Sequence, residues 1–293
     1  MEYPEIQKRL EPYGVPIHTL TFLGEGHDSQ AFLLNGDQVV KIPRHEGARQ
    51  RQKQEFALYH LLKDQNLSVS IPKGIWENGD FFVFSYVPGT QITYWQYHQL
   101  SSEKQEQLAK EEAEFLRRLH RVSIHPENPV LKDRIQDKRK RFETDRYELT
   151  LWLEEQGEMT ASLSCKIQRF YDFLFSQKNL FEYTPVLVHN DFSASNMKFQ
   201  NHHLTGVIDF ADFLWGDPDQ DFLYLLDNST DDFGTGFGEM VLYYYGHDHP
   251  AAVCEKARIN DLYWSVEQVL IGKQLGDFQM IKQGIKDLKE LPF

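Results

Sequence analysis

Cysteine is nearly missing from this chain. Its 293 residues hold two, Cys165 and Cys254, in different segments and without metal-ligand spacing. Both are expected to stay reduced, which points to a reducing, cytoplasm-type compartment. Long hydrophobic runs are missing too: none approaches a membrane span, and the opening MEYPEIQKRLEPYG has no basic stretch leading into an apolar one. Basic charge is in short supply, 31 Lys and Arg against 44 Asp and Glu, a net charge of −13. That balance argues against nucleic acid or an anionic membrane as the main partner, since both need basic patches. No Gly-x-x-x-x-Gly-Lys-Ser/Thr occurs, which excludes a P-loop enzyme. There is no internal repeat and no low-complexity segment.

What is present is a folded composition, 41% hydrophobic and 14% aromatic. The length is too great for one minimal core and suits two lobes or a domain with an inserted piece. Residues 1–16 read as a short amphipathic helix around Ile6 and Leu10, closed by Pro12 and Gly14. Strands follow at Thr19–Gly24, Gln30–Leu34 and Gln38–Ile42, with Asn35-Gly36 as a type I′ hairpin turn. Ala48–Leu62 has a helical pattern, and a second hairpin joins Lys73–Trp76 to Phe81–Val87 through Asn78-Gly79. This is a small antiparallel sheet with one helix laid on it. Pro88-Gly89 is the expected hinge. Beyond it come a helix opened by the capping box Ser102-Glu103-Lys104-Gln105 and running to His120, then helices at Arg134–Leu153 and Ser162–Phe175. Ala257–Gly272 and Phe278–Leu288 close the chain. Gly234-Thr235-Gly236-Phe237-Gly238 reads as a mobile loop entering a helix.

The chain is organised around residues 186–209. His189, Asp191 and Asn196 have the His-x-Asp…Asn spacing of a phosphoryl-transfer catalytic loop, and Asp209 stands thirteen residues after Asn196 in Val-Ile-Asp-Phe-Ala. In that plan the first Asp accepts the proton of the attacking hydroxyl, while the Asn and the later Asp hold magnesium. Asn201-His202-His203 is the hairpin tip that brings the two metal ligands together. Lys41, in Val-Val-Lys-Ile, is placed to neutralise nucleotide phosphates, with Glu55 of the next helix as its partner; the alternative is a solvated lysine. Gly24-Glu25-Gly26-His27-Asp28-Ser29 is the candidate phosphate-covering turn, because glycine lets backbone N–H groups approach anionic oxygens. In Phe84-Ser85-Tyr86-Val87, backbone groups of Ser85 and Val87 are the candidate base contacts and Phe84 the back of the pocket; a plain apolar strand is the alternative. His202-His203 and His247-Asp248-His249 lack helical ligand spacing, so no zinc site is read from them. From Phe199 through Glu255 there is no Lys or Arg, while eleven carboxylates occur. They include Asp209, Asp212, Asp217, Asp219, Asp221, Asp231 and Asp232, and read either as a negative wall for a polycationic acceptor or as a solvated face.

Taken together, Leu-Val-His-Asn-Asp-Phe-Ser-Ala-Ser-Asn at 187–196, Gly-Val-Ile-Asp-Phe at 206–210, Gly-Asp-Pro-Asp-Gln-Asp-Phe at 216–222 and Tyr-Trp-Ser-Val-Glu at 263–267 resemble the aminoglycoside phosphotransferases, and within them the 2″-O-phosphotransferase branch. The resemblance covers nearly the whole chain. It implies an α+β, bilobal, protein-kinase-like fold: residues 1–88 as the nucleotide lobe, 89–293 as the catalytic and substrate lobe, with a helical subdomain at about 127–180. Position by position, it makes Asp191 the base, braced by His189, Asn196 and Asp209 the Mg²⁺ ligands, and Lys41 with Glu55 the phosphate-positioning pair. Asp231, Asp232 and Glu267 become candidates for the drug's ammonium groups, beside Asp191 and Asp212, with Trp264 as an apolar wall. Ala211 departs from the Gly that relatives usually carry after Asp-Phe. ATP or GTP is the implied donor, an aminoglycoside the acceptor and a monomer the expected state. The competing readings are a kinase for another small alcohol or amino sugar, a nucleotide-binding regulator without turnover, and a metal-dependent hydrolase using His189, Asp191 and Asp209.

Overall fold

Alternation along a strand sends successive side chains to opposite faces, and both faces of the N-terminal sheet are used. The computed structural model describes residues 6, 8, 10–11, 16–124, 127–130, 132–227 and 229–293. Its five antiparallel strands are β1 (Leu20–Glu25), β2 (Ser29–Leu34), β3 (Gln38–Pro43), β4 (Gly74–Glu77) and β5 (Phe82–Ser85), in the order β1-β2-β3-β5-β4. Phe32, Leu34, Val40, Ile42 and Val83 form one apolar cluster, completed by Ile6 and Leu10 from the N-terminal segment. Pro12 and Gly14, expected to end a helix there, lie outside the described residues. Phe82 and Phe84 belong to the other face, packed with Leu58, Tyr59 and Leu62 of α1 (Glu46–Leu62). Lying between Val40 and Ile42, Lys41 shares the α1 face. Asn35 (φ +54°) and Gly36 (φ +84°) are both left-handed, as a type I′ turn requires.

After Pro88-Gly89 the chain is mostly helical: α2 (Tyr94–Tyr97), α3 (Ser102–Leu119), α4 (Lys138–Glu155), α5 (Ala161–Ser176), α6 (Thr235–Tyr245), α7 (Pro250–Leu275) and α8 (Phe278–Glu290). Four short strands, β6 (Val186–Val188), β7 (Met197–Gln200), β8 (His203–Val207) and β9 (Leu214–Gly216), pair as β6–β9 and β7–β8. Backbone bridges Ser70–Gly206 and Thr90–Phe199 stitch the β7–β8 hairpin to the segments beside the first sheet. Among the described residues no helix is long and apolar enough to cross a membrane.

Several expected boundaries move, each for a local reason. Arg134 is not helical: its carbonyl accepts from Trp215 N–H (2.8 Å) and Gln136 N–H donates to Trp215 O (2.9 Å), so 134–136 run beside β9. α4 then starts at Lys138, with the Asp137 carboxylate capping Lys140 N–H. Ser101, not Ser102, is the N-cap residue of α3, and Gln105 sends its amide to Tyr97 O (3.1 Å) instead of closing a capping box. A capping box does form at Thr93 and Gln96, in front of α2. Residues 235–238 are the first turn of α6 rather than a loop. Gly238 is needed there, because a Cβ would sit 2.2 Å from Leu225 O. α7 begins seven residues earlier than expected, with a proline in its first turn.

Candidate active site

β3, α1 and the segment after β8 converge on Lys41. Its Nζ lies 3.0 and 3.1 Å from the two Glu55 oxygens and 3.0 Å from Asp209 Oδ1. Burial opposes the ammonium charge, but Asp209 and Glu55 together hold the lysine above its usual range. Burial opposes the Asp209 carboxylate as well, and Lys41 keeps it below the usual range. Glu55 is fully buried and further fixed by Tyr59 O–H (2.8 Å) and Phe210 N–H (3.1 Å). The expected Lys41–Glu55 pair is therefore formed.

Residues 189–196 follow β6 as a tight turn. Asn196 Nδ2 donates to Asp191 Oδ2 (2.7 Å) and to Asp191 O (2.9 Å), and Ile208 N–H donates to Asn196 O (2.9 Å). These bonds place Asn196 next to Asp191 and one residue from Asp209. Burial pushes the Asp191 carboxyl up to about 6, against the lowering influence of His189 and the Asn196 amide. His189 is buried, with Nε2 3.0 Å from Ile208 O. Asn190 is left-handed (φ +65°), an uncommon conformation for a non-glycine residue. Asp221 holds it there: Asp221 Oδ1 accepts from Asn190 N–H (2.7 Å), Oδ2 accepts from His189 N–H (3.0 Å), and His120 Nε2 lies 3.0 Å from Oδ2.

Around this centre the glycine turn is tied back to α1. Arg44 donates to Gly26 O (2.8 Å), and both Asp28 oxygens take the Arg51 guanidinium. A Cβ on Gly24 or Gly26 would meet nothing within 4 Å, so the space over the turn is open to a ligand; Ser29 opens β2 behind it. Phe84 is buried, edge-on to Tyr59 (5.6 Å) and 5.5 Å from Lys41 Nζ. Ser85 N–H donates to Lys73 O (2.9 Å) and Ser85 Oγ accepts from Lys73 N–H (2.9 Å); Val87 is buried beside Gly206. Among the described residues the one metal-like grouping is His27, Asp28 and His45. Asp28 is held by Arg51 and His45 Nδ1 accepts from Ala48 N–H (3.1 Å), while His45 Nε2 makes no hydrogen bond and lies 3.4 Å from Asp28 Oδ1.

The acidic wall is smaller than its sequence suggested. Asp217 is buried between Lys138 (2.6 Å) and Lys256 (2.8 Å), and Asp219 between Lys256 (2.6 Å) and His247 (2.8 Å). Asp221 braces the turn at His189–Asn190, and Asp232, 3% exposed, accepts from Ala194 N–H (2.5 Å). Asp212 and Asp231 remain exposed. On α7, Glu267 pairs with Arg141 of α4, and Trp264 is 43% exposed. Two further ionisable groups, Tyr224 and Asp261, are shifted. Burial and then the carboxylates of Asp191, Glu267 and Asp212 push Tyr224, 40% exposed, up to about 12. Burial and then Asp227 push Asp261 up to about 6. Asp261 stands one helical turn before Trp264, a spacing visible in the sequence.

A strand-borne lysine paired to a helix glutamate, facing an Asp…Asn turn and a second Asp, defines a phosphotransferase of the kinase-like fold. The chain belongs to the phosphotransferase enzyme family, whose model matches residues 19–255. It is similar to the solved gentamicin complex of APH(2″)-IIa, with 41% identity over 98% of this chain and 96% of that chain and a TM-score of 0.94. It is equally similar in sequence to the ADP-bound aminoglycoside phosphotransferase APH(2″)-Ib: 41% identity, 98% and 97% coverage, TM-score 0.92. The streptomycin–ATP ternary complex of APH(2″)-IIa matches at 41% identity over 99% and 97%, TM-score 0.94.

Proposed function

We propose that this chain transfers the γ-phosphoryl group of ATP or GTP to a hydroxyl of an aminoglycoside, the 2″-hydroxyl, and so confers aminoglycoside resistance. The observation that carries the proposal is the Lys41–Glu55–Asp209 cluster facing the Asp191–Asn196 turn. Relatives at 41% identity bind gentamicin, ADP, or streptomycin with ATP. Residues 1–88 act as the nucleotide lobe and 89–293, with the helical part at about 127–180 and the C-terminal helices, as the acceptor lobe. The protein works as a cytoplasmic monomer.

Asp191, beside the Asn196 amide, accepts the proton of the attacking hydroxyl. Lys41 is oriented by Glu55 to face the donor's phosphates. Asn196 and Asp209 suit Mg²⁺, because they bring hard oxygen donors and a formal negative charge to one spot. When bound, the metal neutralises charge developing on the phosphoryl oxygens. The acceptor's ammonium groups meet Asp212, Asp231, Asp261 and Glu267, with Trp264 and Tyr224 as flat walls. Turnover needs little beyond positioning and charge neutralisation. The test is a screen of ATP and GTP against an aminoglycoside panel and neutral amino-sugar alcohols, with the phosphorylated position read by NMR. Phosphate on the 2″-oxygen of aminoglycosides is expected. Turnover of the neutral alcohols alone would replace this reading with that of a different small-molecule kinase.

A further inference from the structure

Asp231 and Asp232 are neighbours in sequence that face opposite ways. Asp231 is exposed, while Asp232 is buried with Oδ1 on Ala194 N–H (2.5 Å). Ala194 lies inside the turn from Asp191 to Asn196. That turn is closed by Ser193 N–H to Asp191 O (3.0 Å) and Asn196 N–H to Ser193 O (3.0 Å). The segment carrying Asp232 is itself anchored, since Phe233 stacks on Tyr97 (4.6 Å, 14°) and meets Phe237 edge-on (5.0 Å). Its outer part is tied by Ser229 N–H to Asp227 Oδ1 (2.9 Å) and Asp231 N–H to Ser229 Oγ (3.2 Å).

We infer that Asp232 is a positioning residue, not a drug contact: its carboxylate holds the Asp191–Asn196 turn from beneath and joins it rigidly to the segment that presents Asp231 to the acceptor. The inference rests on the reading of that turn as catalytic. Glu112 of α3 is buried near Asp232. It is fully buried with neither oxygen hydrogen-bonded, and burial, then the nearby Asp232 charge, push its carboxyl well up. Burial pushes the Asp232 carboxyl up as well, to about 6, against the lowering influence of Ala194 N–H, and of the two carboxyls Asp232 is the one with a backbone N–H donor. A charge-assisted bond of this kind is about twice as strong as a neutral one.

The test compares purified Asp232→Ala, Asp232→Asn, Asp231→Asn and Asp191→Asn enzymes by active-site-titrated kcat, drug KM at two salt concentrations and the Mg²⁺ concentration giving half-maximal rate. Asp232→Ala should lower kcat about 10-fold or more and raise the Mg²⁺ requirement through Asn196, with drug KM within about 2-fold of wild type. Asp232→Asn keeps an acceptor for Ala194 N–H and should recover most of the lost kcat. Asp231→Asn should show the reverse split, with drug KM raised and its salt dependence flattened. A drug KM raised about 10-fold with a flattened salt slope in Asp232→Asn would overturn the inference, because Asp232 would then meet the drug. So would a loss confined to the number of titratable sites at an unchanged Mg²⁺ requirement. Where Asp232→Ala fails to fold, the salt slope of Asp232→Asn decides alone: at the wild-type value it supports the inference, flattened it overturns it. Wild-type turnover by Asp191→Asn would sink the catalytic reading of the turn, and this inference with it, separately from either result on Asp232.

Discussion

Asp221→Ala gives the most informative single perturbation of the scaffold behind the site. Its carboxylate, itself fully buried, receives His189 N–H (3.0 Å) and Asn190 N–H (2.7 Å) and lies 3.0 Å from His120 Nε2. Truncation strands two backbone donors and a ring nitrogen. Each buried orphan costs about 1–3 kcal/mol, and more where the lost partner is a charged group. The contributions overlap, so a net loss of about 3–5 kcal/mol is expected. That is a large share of the roughly 5–15 kcal/mol that keeps a protein folded, and corresponds to a Tm drop on the order of 5–15 °C. Without Asp221, Asn190 can leave its left-handed conformation (φ +65°), releasing strain of about 1–3 kcal/mol and carrying Asp191 with it. A displacement near 1 Å lowers turnover on the order of 100-fold. Thermal unfolding and active-site-titrated kcat read the two effects separately. A variant with Tm within 2 °C of wild type and kcat within threefold, both roughly the noise of such measurements, would refute the reasoning.

Phe84→Ala should shift the ratio of ATP to GTP KM and cost about 3–5 kcal/mol of stability, because the ring is buried against Tyr59; equal proportional changes in both KM values would make Phe84 core alone. Asp219 has its carboxyl held at about 2, burial being outweighed by His247 and Lys256. A folded value below the usual 3.8 stabilises the protein above pH 4, and that stability is lost as pH falls from about 4 to 2, about 2 kcal/mol in all. Asp219→Asn should flatten the stability–pH curve in that window, measured by urea unfolding at several pH values. Asp231→Asn should raise drug KM roughly 3–10-fold with nucleotide KM unchanged, since one exposed charge pair contributes about 0.2–1 kcal/mol and a partly enclosed one more.

Much of the site was legible because its signals are local. Asn35-Gly36 announced its hairpin, the strand around Lys41 announced the orientation of the ammonium group, and the spacing of His189, Asp191, Asn196 and Asp209 carried the rest. What failed was long-range. Asp217 looked like part of a negative wall because its counter-charges, Lys138 and Lys256, stand 79 and 39 residues away. Arg134 looked helical because only the pairing with Trp215 pulls its backbone straight. Asp221 and Asp232 looked like two more acids. Nothing in the local sequence says that the backbone N–H groups of Asn190 and Ala194 need acceptors; that need arises once the 189–196 turn is folded. Ser102 and Gln105 fitted a capping pattern, but the start of α3 shifted by one residue and Gln105 found Tyr97 O instead.

The central claim is that Asp191 serves as the base of a phosphoryl transfer whose donor is held by other residues. Replacing it with Asn and measuring kcat at saturating nucleotide and drug, with nucleotide Kd measured on the same preparation, tests that claim most directly. The account predicts that turnover falls about 100-fold or more while nucleotide Kd stays close to wild type. Wild-type turnover at saturation, with the loss confined to nucleotide affinity, would contradict it.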